Sequence, residues 1–243
     1  MGSALFISDI HLSGDEAGIS GLFFRFLEDR AAGASSLYIL GDLFDAWAGD
    51  DDLDDPFNSE VVSSLKKLAD SGVALYIMHG NRDFLMGRRF FEASGAAHLP
   101  DPCLVAACGG KILLTHGDAL CTGDTEYQAF RRTVRAEAWQ SAFLARPLAA
   151  RKEAIAQLRR QSEQMKQEKA VAIMDVDPAT VNILLTENNS TRMIHGHTHK
   201  PGRHVFGIEA NSCERWVLGD WHENGALCIV CEKDEIRFLD AGE

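Results

Sequence analysis

Seven side chains in this sequence could share one kind of chemistry: Asp9, His11, Asp42, Asn81, His116, His197 and His199. Carboxylate, amide and imidazole ligands without a thiolate suit Mn²⁺ or a similar ion better than structural zinc. Two such ions, about 3.5–4 Å apart, activate a water and clamp the attacking and leaving oxygens of a phosphoryl transfer. Asp9-Ile10-His11 and His197-Thr198-His199 each place two ligands two residues apart, on one side of an extended backbone. Asp42 and Asn81 each follow a glycine, and the two oxygens of Asp42 could bridge a pair of ions. Each block alone is weak. A lone Gly-Asp or Gly-Asn is usually a turn, and a lone histidine is usually a core or surface residue. The repetition of the pattern is what points to a site.

Every block follows a short apolar run, at 4–7, 37–40, 73–78, 111–115 and 192–194, each of which reads as a strand. Open α/β sheets gather their chemistry just beyond the carboxyl ends of such strands. A helix over 23–32, stopped by Gly33, returns the chain to the second strand as a parallel βαβ unit. A second helix is predicted over 59–71, ended by Gly72. The runs 216–218, 226–231 and 236–239 read as antiparallel strands completing a second sheet. The whole of 1–243 reads as one α/β domain.

A formal net charge of −12 argues against a general nucleic-acid binder. No basic start with an apolar signal segment and no run of 18 apolar residues is present, so a cytosolic, non-spanning chain is expected. Cys228 and Cys231 form a CxxC inside an apolar run; in a strand they point to opposite faces, which favours structural roles. Reduced thiols are expected for all six cysteines. The acidic stretch 49–55 lacks calcium-loop spacing and reads as a solvated loop.

Residues 125–170 break the rhythm. They carry no strand-like run and read as helices joined at or near Arg146-Pro147. Ten basic residues stand against four acidic ones between 131 and 169. Two readings stay open: a helical hairpin packed on its own core with a solvated basic face, or a cap over the metal site. A cap would offer cations to an anionic ligand or acidic lipid headgroups, and apolar groups to a lipid tail.

Asp9-Ile10-His11, Gly41-Asp42, Gly80-Asn81, His116 and Gly196-His197-Thr198-His199 together resemble the calcineurin-like metallophosphoesterases. More narrowly, the chain resembles the UDP-2,3-diacylglucosamine pyrophosphohydrolases of lipid A synthesis. That match rests on 8–12, Gly41 to Trp47, His79 to Leu85, His116-Gly117-Asp118, 172–176 and His195 to Pro201. The resemblance implies a four-layer αββα sandwich with a helical cap inserted at about 125–170. It implies two Mn²⁺ ions, one on Asp9, His11, Asp42 and His199, the other on Asp42, Asn81, His116 and His197. Substrate contacts fall on Asn81, Arg82, Asp124, Ser162, Lys169 and His197, and on Lys166 where the family usually has asparagine. The implied reaction is hydrolysis of UDP-2,3-diacylglucosamine at the α-phosphorus to UMP and 2,3-diacylglucosamine 1-phosphate. The implied place is the cytoplasmic face of the inner membrane, in peripheral contact with anionic lipid. Many of the wider superfamily carry histidine after Gly-Asn; here the residue is Arg82. A guanidinium cannot act as a proton donor at neutral pH but can fork two phosphoryl oxygens, so Asn81 and Arg82 are the expected catalytic pair. The alternatives are a metallophosphoesterase for another nucleotide or phosphoester, a nuclease, which the charge disfavours, and a scaffold without catalysis. Oligomeric state is not set by the sequence.

Overall fold

The computed structural model describes residues 2–168 and 175–242, with side chains for all of these except 163–168. Its first sheet begins with the parallel strands β1 (Ala4–Ile7), β2 (Ser36–Ile39), β3 (Ala74–Met78) and β4 (Ala97–Leu99). Helices α1 (Ala17–Asp29), α2 (Pro56–Asp70) and α3 (Arg88–Ser94) connect them. Helix α1 starts six residues before the expected position; α2 starts at Pro56, where the Asp55 carboxylate accepts from the amides of Phe57 and Asn58. The three helices cover one face of the sheet, and Phe23, Phe26, Val61, Leu65 and Phe90 are buried there against Leu37, Ile39 and Ile77.

The second sheet holds β5 (Cys103–Ala107), β6 (Gly110–Thr115), β7 (Arg192–His195), β8 (Gly202–Ile208) and β9 (Asn211–Val217), in the order β5-β6-β7-β9-β8. Helix α7 (Pro178–Glu187) covers its outer face through Val181 and Leu185. Phe6, Tyr38, Leu40, Ile112, Leu114, Ile194 and Trp216 fill the space between the sheets. Helix layer, sheet, sheet and helix layer make the four-layer αββα sandwich.

Expectations for the C-terminal strands and for the thiols need correction. Of the three C-terminal runs, only the first joins the second sheet. β10 (Leu227–Glu232) pairs antiparallel with β1, and β11 (Glu235–Asp240) with β10, so both extend the first sheet. Alternating apolar residues mark a strand but not which free edge it will occupy. The expectation of reduced thiols also fails for one pair: Cys108, in the β5–β6 turn, is bonded to Cys231 of β10 across 123 residues. Cys228 and Cys231 do point to opposite sides of their strand, into different core clusters.

The segment between β6 and β7 forms α4 (Thr125–Val134), α5 (Glu137–Leu144) and α6 (Leu148–Glu168). Pro147 lies at the α5–α6 junction, as the sequence suggests. Trp139, Phe143 and Ile155 do not close a core of their own; they pack onto the cluster that includes Trp47, Phe84 and Leu85. The segment therefore shares the main core rather than closing one of its own. The acidic stretch is not a solvated loop either. Buried Arg151 contacts Asp51 and the Ala48 carbonyl, Lys152 lies 2.7 Å from Asp52, and Arg159 pairs with Asp45. Asp50 receives the amides of Gly87 and Phe90 at the start of α3. The acidic loop is a plate onto which the basic helices dock.

Candidate metal centre and substrate cleft

All seven candidate ligands lie beyond the carboxyl ends of strands, three segments from the first sheet and two from the second. Backbone bonds lace these segments together: Asp9 N to Gly41 O (3.1 Å), His11 N to Asp42 O (3.0 Å) and Gly196 N to His116 O (3.0 Å). The approach is close enough to require glycine. A Cβ on Gly80 would sit 2.0 Å from Asp42 Oδ1, and one on Gly196 would sit 2.2 Å from Asp9 Oδ2. Five of the seven candidate ligands, Asp9, His11, Asp42, His197 and His199, have φ between 52° and 67°. Left-handed backbone at non-glycine residues costs roughly 1–3 kcal/mol each and persists where the surroundings enforce it, often at functional sites.

Two groupings result. Asp9, His11 and His199 present atoms within 4.8 Å of one another, and so do Asp9, Asp42 and His116. His11 Nε2 and His199 Nε2 face each other at 3.4 Å, with buried Asp9 Oδ1 3.4 Å from the latter. Asn81 Oδ1 lies 3.0 Å from His116 Nε2 and 2.9 Å from His197 Nδ1. Asp9 Oδ1 has no hydrogen-bond partner among the described residues. A buried anionic oxygen beside converging imidazole nitrogens fits a cation, so the donor set suits divalent ions.

Burial and neighbouring charges pull the ionisable groups of the site in opposite directions. Burial pushes Asp42 up to about 7. Burial also opposes charge on His116, but Asp42, Asp118 and Asp9 outweigh it and raise that ring to about 9. At His199 burial is outweighed by the carboxylates of Asp220 and Asp9, again giving about 9. Burial drives His11 and His197 down to about 3. His195, the first histidine of its triplet, turns away; its Nδ1 meets the Gly196 carbonyl at 2.8 Å.

A cavity of about 490 Å³ opens between these ligands and the cap. The expected contacts Asn81, Arg82, Asp124, Ser162 and His197 all line it. The side chain of Lys166, and Lys169 altogether, lie outside the described residues. Trp47, Phe84, Trp139, Phe143, Ile155 and Leu158 form its apolar wall. The Arg82 backbone is fixed by donation to Asp42 Oδ1 at 2.8 Å, which ties its position to the candidate bridge.

Sequence reasoning missed several residues here. Buried Asp118 accepts from Tyr127 Oη (2.8 Å) and Arg131 Nε (2.7 Å), anchoring α4 beside His116. The Tyr127 ring stacks near His197, with centroids 6.0 Å apart. Arg135 donates to the Gly80 carbonyl at 2.8 Å. Buried Asp83 takes the amides of Leu43 and Gly80, both at 2.8 Å, and staples two ligand loops together. A signal existed for Asp118, which stands two residues past His116 in a quoted motif.

A two-sheet sandwich with mixed oxygen and imidazole ligands at its shared strand-end edge defines a class of enzyme. The chain belongs to the calcineurin-like phosphoesterases, which it matches over residues 3–201. Within that class its relatives are UDP-2,3-diacylglucosamine hydrolases. The one from Aromatoleum aromaticum is 51% identical over 91% of this chain and 90% of its own length. The Cellvibrio japonicus protein of that name is 48% identical over 92% of both chains. That from Chromohalobacter salexigens is 47% identical over 96% of this chain and 94% of its own.

Proposed function

We propose that this protein hydrolyses the pyrophosphate bond of UDP-2,3-diacylglucosamine, giving UMP and 2,3-diacylglucosamine 1-phosphate for lipid A synthesis. The observation that carries the reading is a single cleft with cation ligands at one end and an aromatic and aliphatic wall under the cap at the other. A soluble nucleotide would have no use for that wall. The names of the relatives point to the same substrate.

Asp9, His11, Asp42 and His199 would hold one divalent ion, and Asp42, Asn81, His116 and His197 the other. Mn²⁺ suits a thiolate-free oxygen and imidazole set. When bound, the pair would lower the pKa of a water and screen the charge on the phosphoryl oxygens. The Arg82 fork holds phosphoryl oxygens and stabilises charge as it builds. It supplies no proton, and a sugar phosphate needs none to depart, since its second pKa is about 6. Water adds across P–O–P, its oxygen going to the uridylyl phosphorus. The apolar wall holds acyl chains and keeps bulk water from the reacting atoms.

Among the described residues no helix is long and apolar enough to cross a membrane. Phe130, Leu144 and Leu158 of α4–α6 are exposed large apolar side chains. With the exposed Arg132, Arg146 and Arg160 they suit peripheral contact with the anionic inner face of the membrane, where a lipid-linked substrate resides.

The test is turnover in H₂¹⁸O with Mn²⁺, and again after chelation. The label should appear in UMP alone and turnover should stop without metal. Label in the sugar phosphate would overturn the site of attack. Faster turnover of a soluble nucleotide diphosphate or a phosphoester would move the chain to the alternative substrate class.

A further inference from the structure

We propose that Asp220 is a positioning residue that acts through His199, orienting its ring and strengthening one of the two metal sites but not the other. Asp220 Oδ2 lies 3.2 Å from His199 Nδ1. With Nδ1 directed at that carboxylate, the Nε2 lone pair points the opposite way, toward Asp9 Oδ1 and His11 Nε2, each 3.4 Å off. A carboxylate on the far nitrogen fixes the tautomer of a ligating histidine and makes it a stronger donor.

The Asp220 backbone is held where this role demands. On one side Leu218 N donates to the His195 carbonyl at 2.8 Å; on the other Trp221 N donates to the Asp9 carbonyl at 3.3 Å. The Trp221 ring is wedged edge-on against Phe23 and Phe26, at 5.9 and 5.5 Å between centroids. The segment thus spans the two sheets and is tied to both ligand-bearing segments that Asp220 serves. His222 also reaches Asp220 Oδ2, at 3.4 Å, from an exposed position.

His116 is oriented differently. Its Nδ1 meets the neutral Leu40 carbonyl at 2.9 Å. The grouping of Asp9, His11 and His199 therefore has a carboxylate behind one of its histidines, whereas the His116 side is supported by a peptide oxygen. The two sites should differ in affinity, and the difference should depend on Asp220.

The inference rests on the two-metal reading, and the experiment separates the two. Mn²⁺ is titrated into the metal-free full-length protein by calorimetry, with free ion followed by its electron paramagnetic resonance signal. The wild type should bind two ions with unequal affinity. Asp220→Asn, which keeps the shape and removes the charge, should weaken one ion by about ten- to a hundredfold and leave the other within about threefold. Asp220→Glu should recover part of the loss. Near-ultraviolet circular dichroism should match the wild type in both variants. Wild-type affinity at both sites in Asp220→Asn, or an equal loss at both, overturns the role of Asp220 and leaves the two-metal reading standing. One ion per wild-type chain overturns the two-metal reading, and Asp220→Asn must then still weaken that ion or this proposal falls too.

Discussion

The docking of the cap onto the acidic loop should be measurable as stability, and Arg151 is where to measure it. Its side chain is 2% exposed and makes three contacts: Nε to the Arg146 carbonyl at 2.9 Å, one terminal nitrogen to the Ala48 carbonyl, the other to Asp51. In Arg151→Ala, Asp51 is already half-exposed and recovers water, so its loss counts for little. The two carbonyls are different. Each loses a charged donor, worth roughly 1.5–3 kcal/mol when the acceptor cannot rehydrate. Relief of the guanidinium's own desolvation offsets part of that. A net loss of about 3 kcal/mol is expected, with about 2 kcal/mol for Arg151→Met, which keeps the apolar stem. Lys152→Ala is the control. Its side chain is 45% exposed, and its 2.7 Å pair with Asp52 should contribute less than about 1 kcal/mol. Equilibrium urea unfolding read by tryptophan fluorescence suits the question, since Trp47 and Trp139 lie at the docked surface. If Arg151→Ala costs no more than Lys152→Ala, the acidic loop is a solvated loop after all.

Three further outcomes follow from the site. Asp42→Ala should lower turnover by several orders of magnitude while leaving the circular dichroism unchanged, because the residue lies past a strand end and would serve both ions; near wild-type turnover with two bound Mn²⁺ would refute its bridging role. Arg82→Ala should keep both ions and lose at least about 2.7 kcal/mol of transition-state stabilisation, about a hundredfold in kcat/KM, and Arg82→Lys should restore little because a point charge does not reproduce the fork. The metal-free protein should lose thermal stability between about pH 7.5 and 9. There His116 and His199 sit at about 9, above the 6.5 of the unfolded chain, so the native state binds more protons and its advantage, full below 6.5, is lost as pH rises through 9. Asp42, raised by burial to about 7, adds to that slope; His11 and His197, near 3 when folded but 6.5 when unfolded, oppose it up to about pH 7.5, which sets the lower end of the window. Excess Mn²⁺ should reverse the trend, since the ions replace those protons; a metal-free melting temperature that rises over this range would refute the assignment.

What the sequence made legible divides along the range of the interactions. Each candidate ligand was readable because its signal is local: a few apolar residues, a glycine, then a polar group at a strand end. The same local grammar fits Trp216-Val217-Leu218-Gly219-Asp220, so the partner of His199 was within reach of the rule that found His199 itself. The acidic loop was not. Asp51 and Asp52 read the same whether they face water or the basic side chains of Arg151 and Lys152, a hundred residues on. Cys231 looks the same beside water, lipid or Cys108, and β10 the same at either free sheet edge. The strained backbone at Asp9, His11, Asp42, His197 and His199 was equally hidden, since Asp and His reach positive φ more readily than most residues yet do so only in a minority of places. Only the crowding of five loops around one point imposes it. That strain connects fold to chemistry: the two sheets, pressed together by the packing between Phe6, Tyr38, Ile194 and Trp216, hold ligands in conformations they would not choose alone. A cation that met the buried lone pairs would find a site already shaped for it, and part of the sandwich's stability has been spent on that shape.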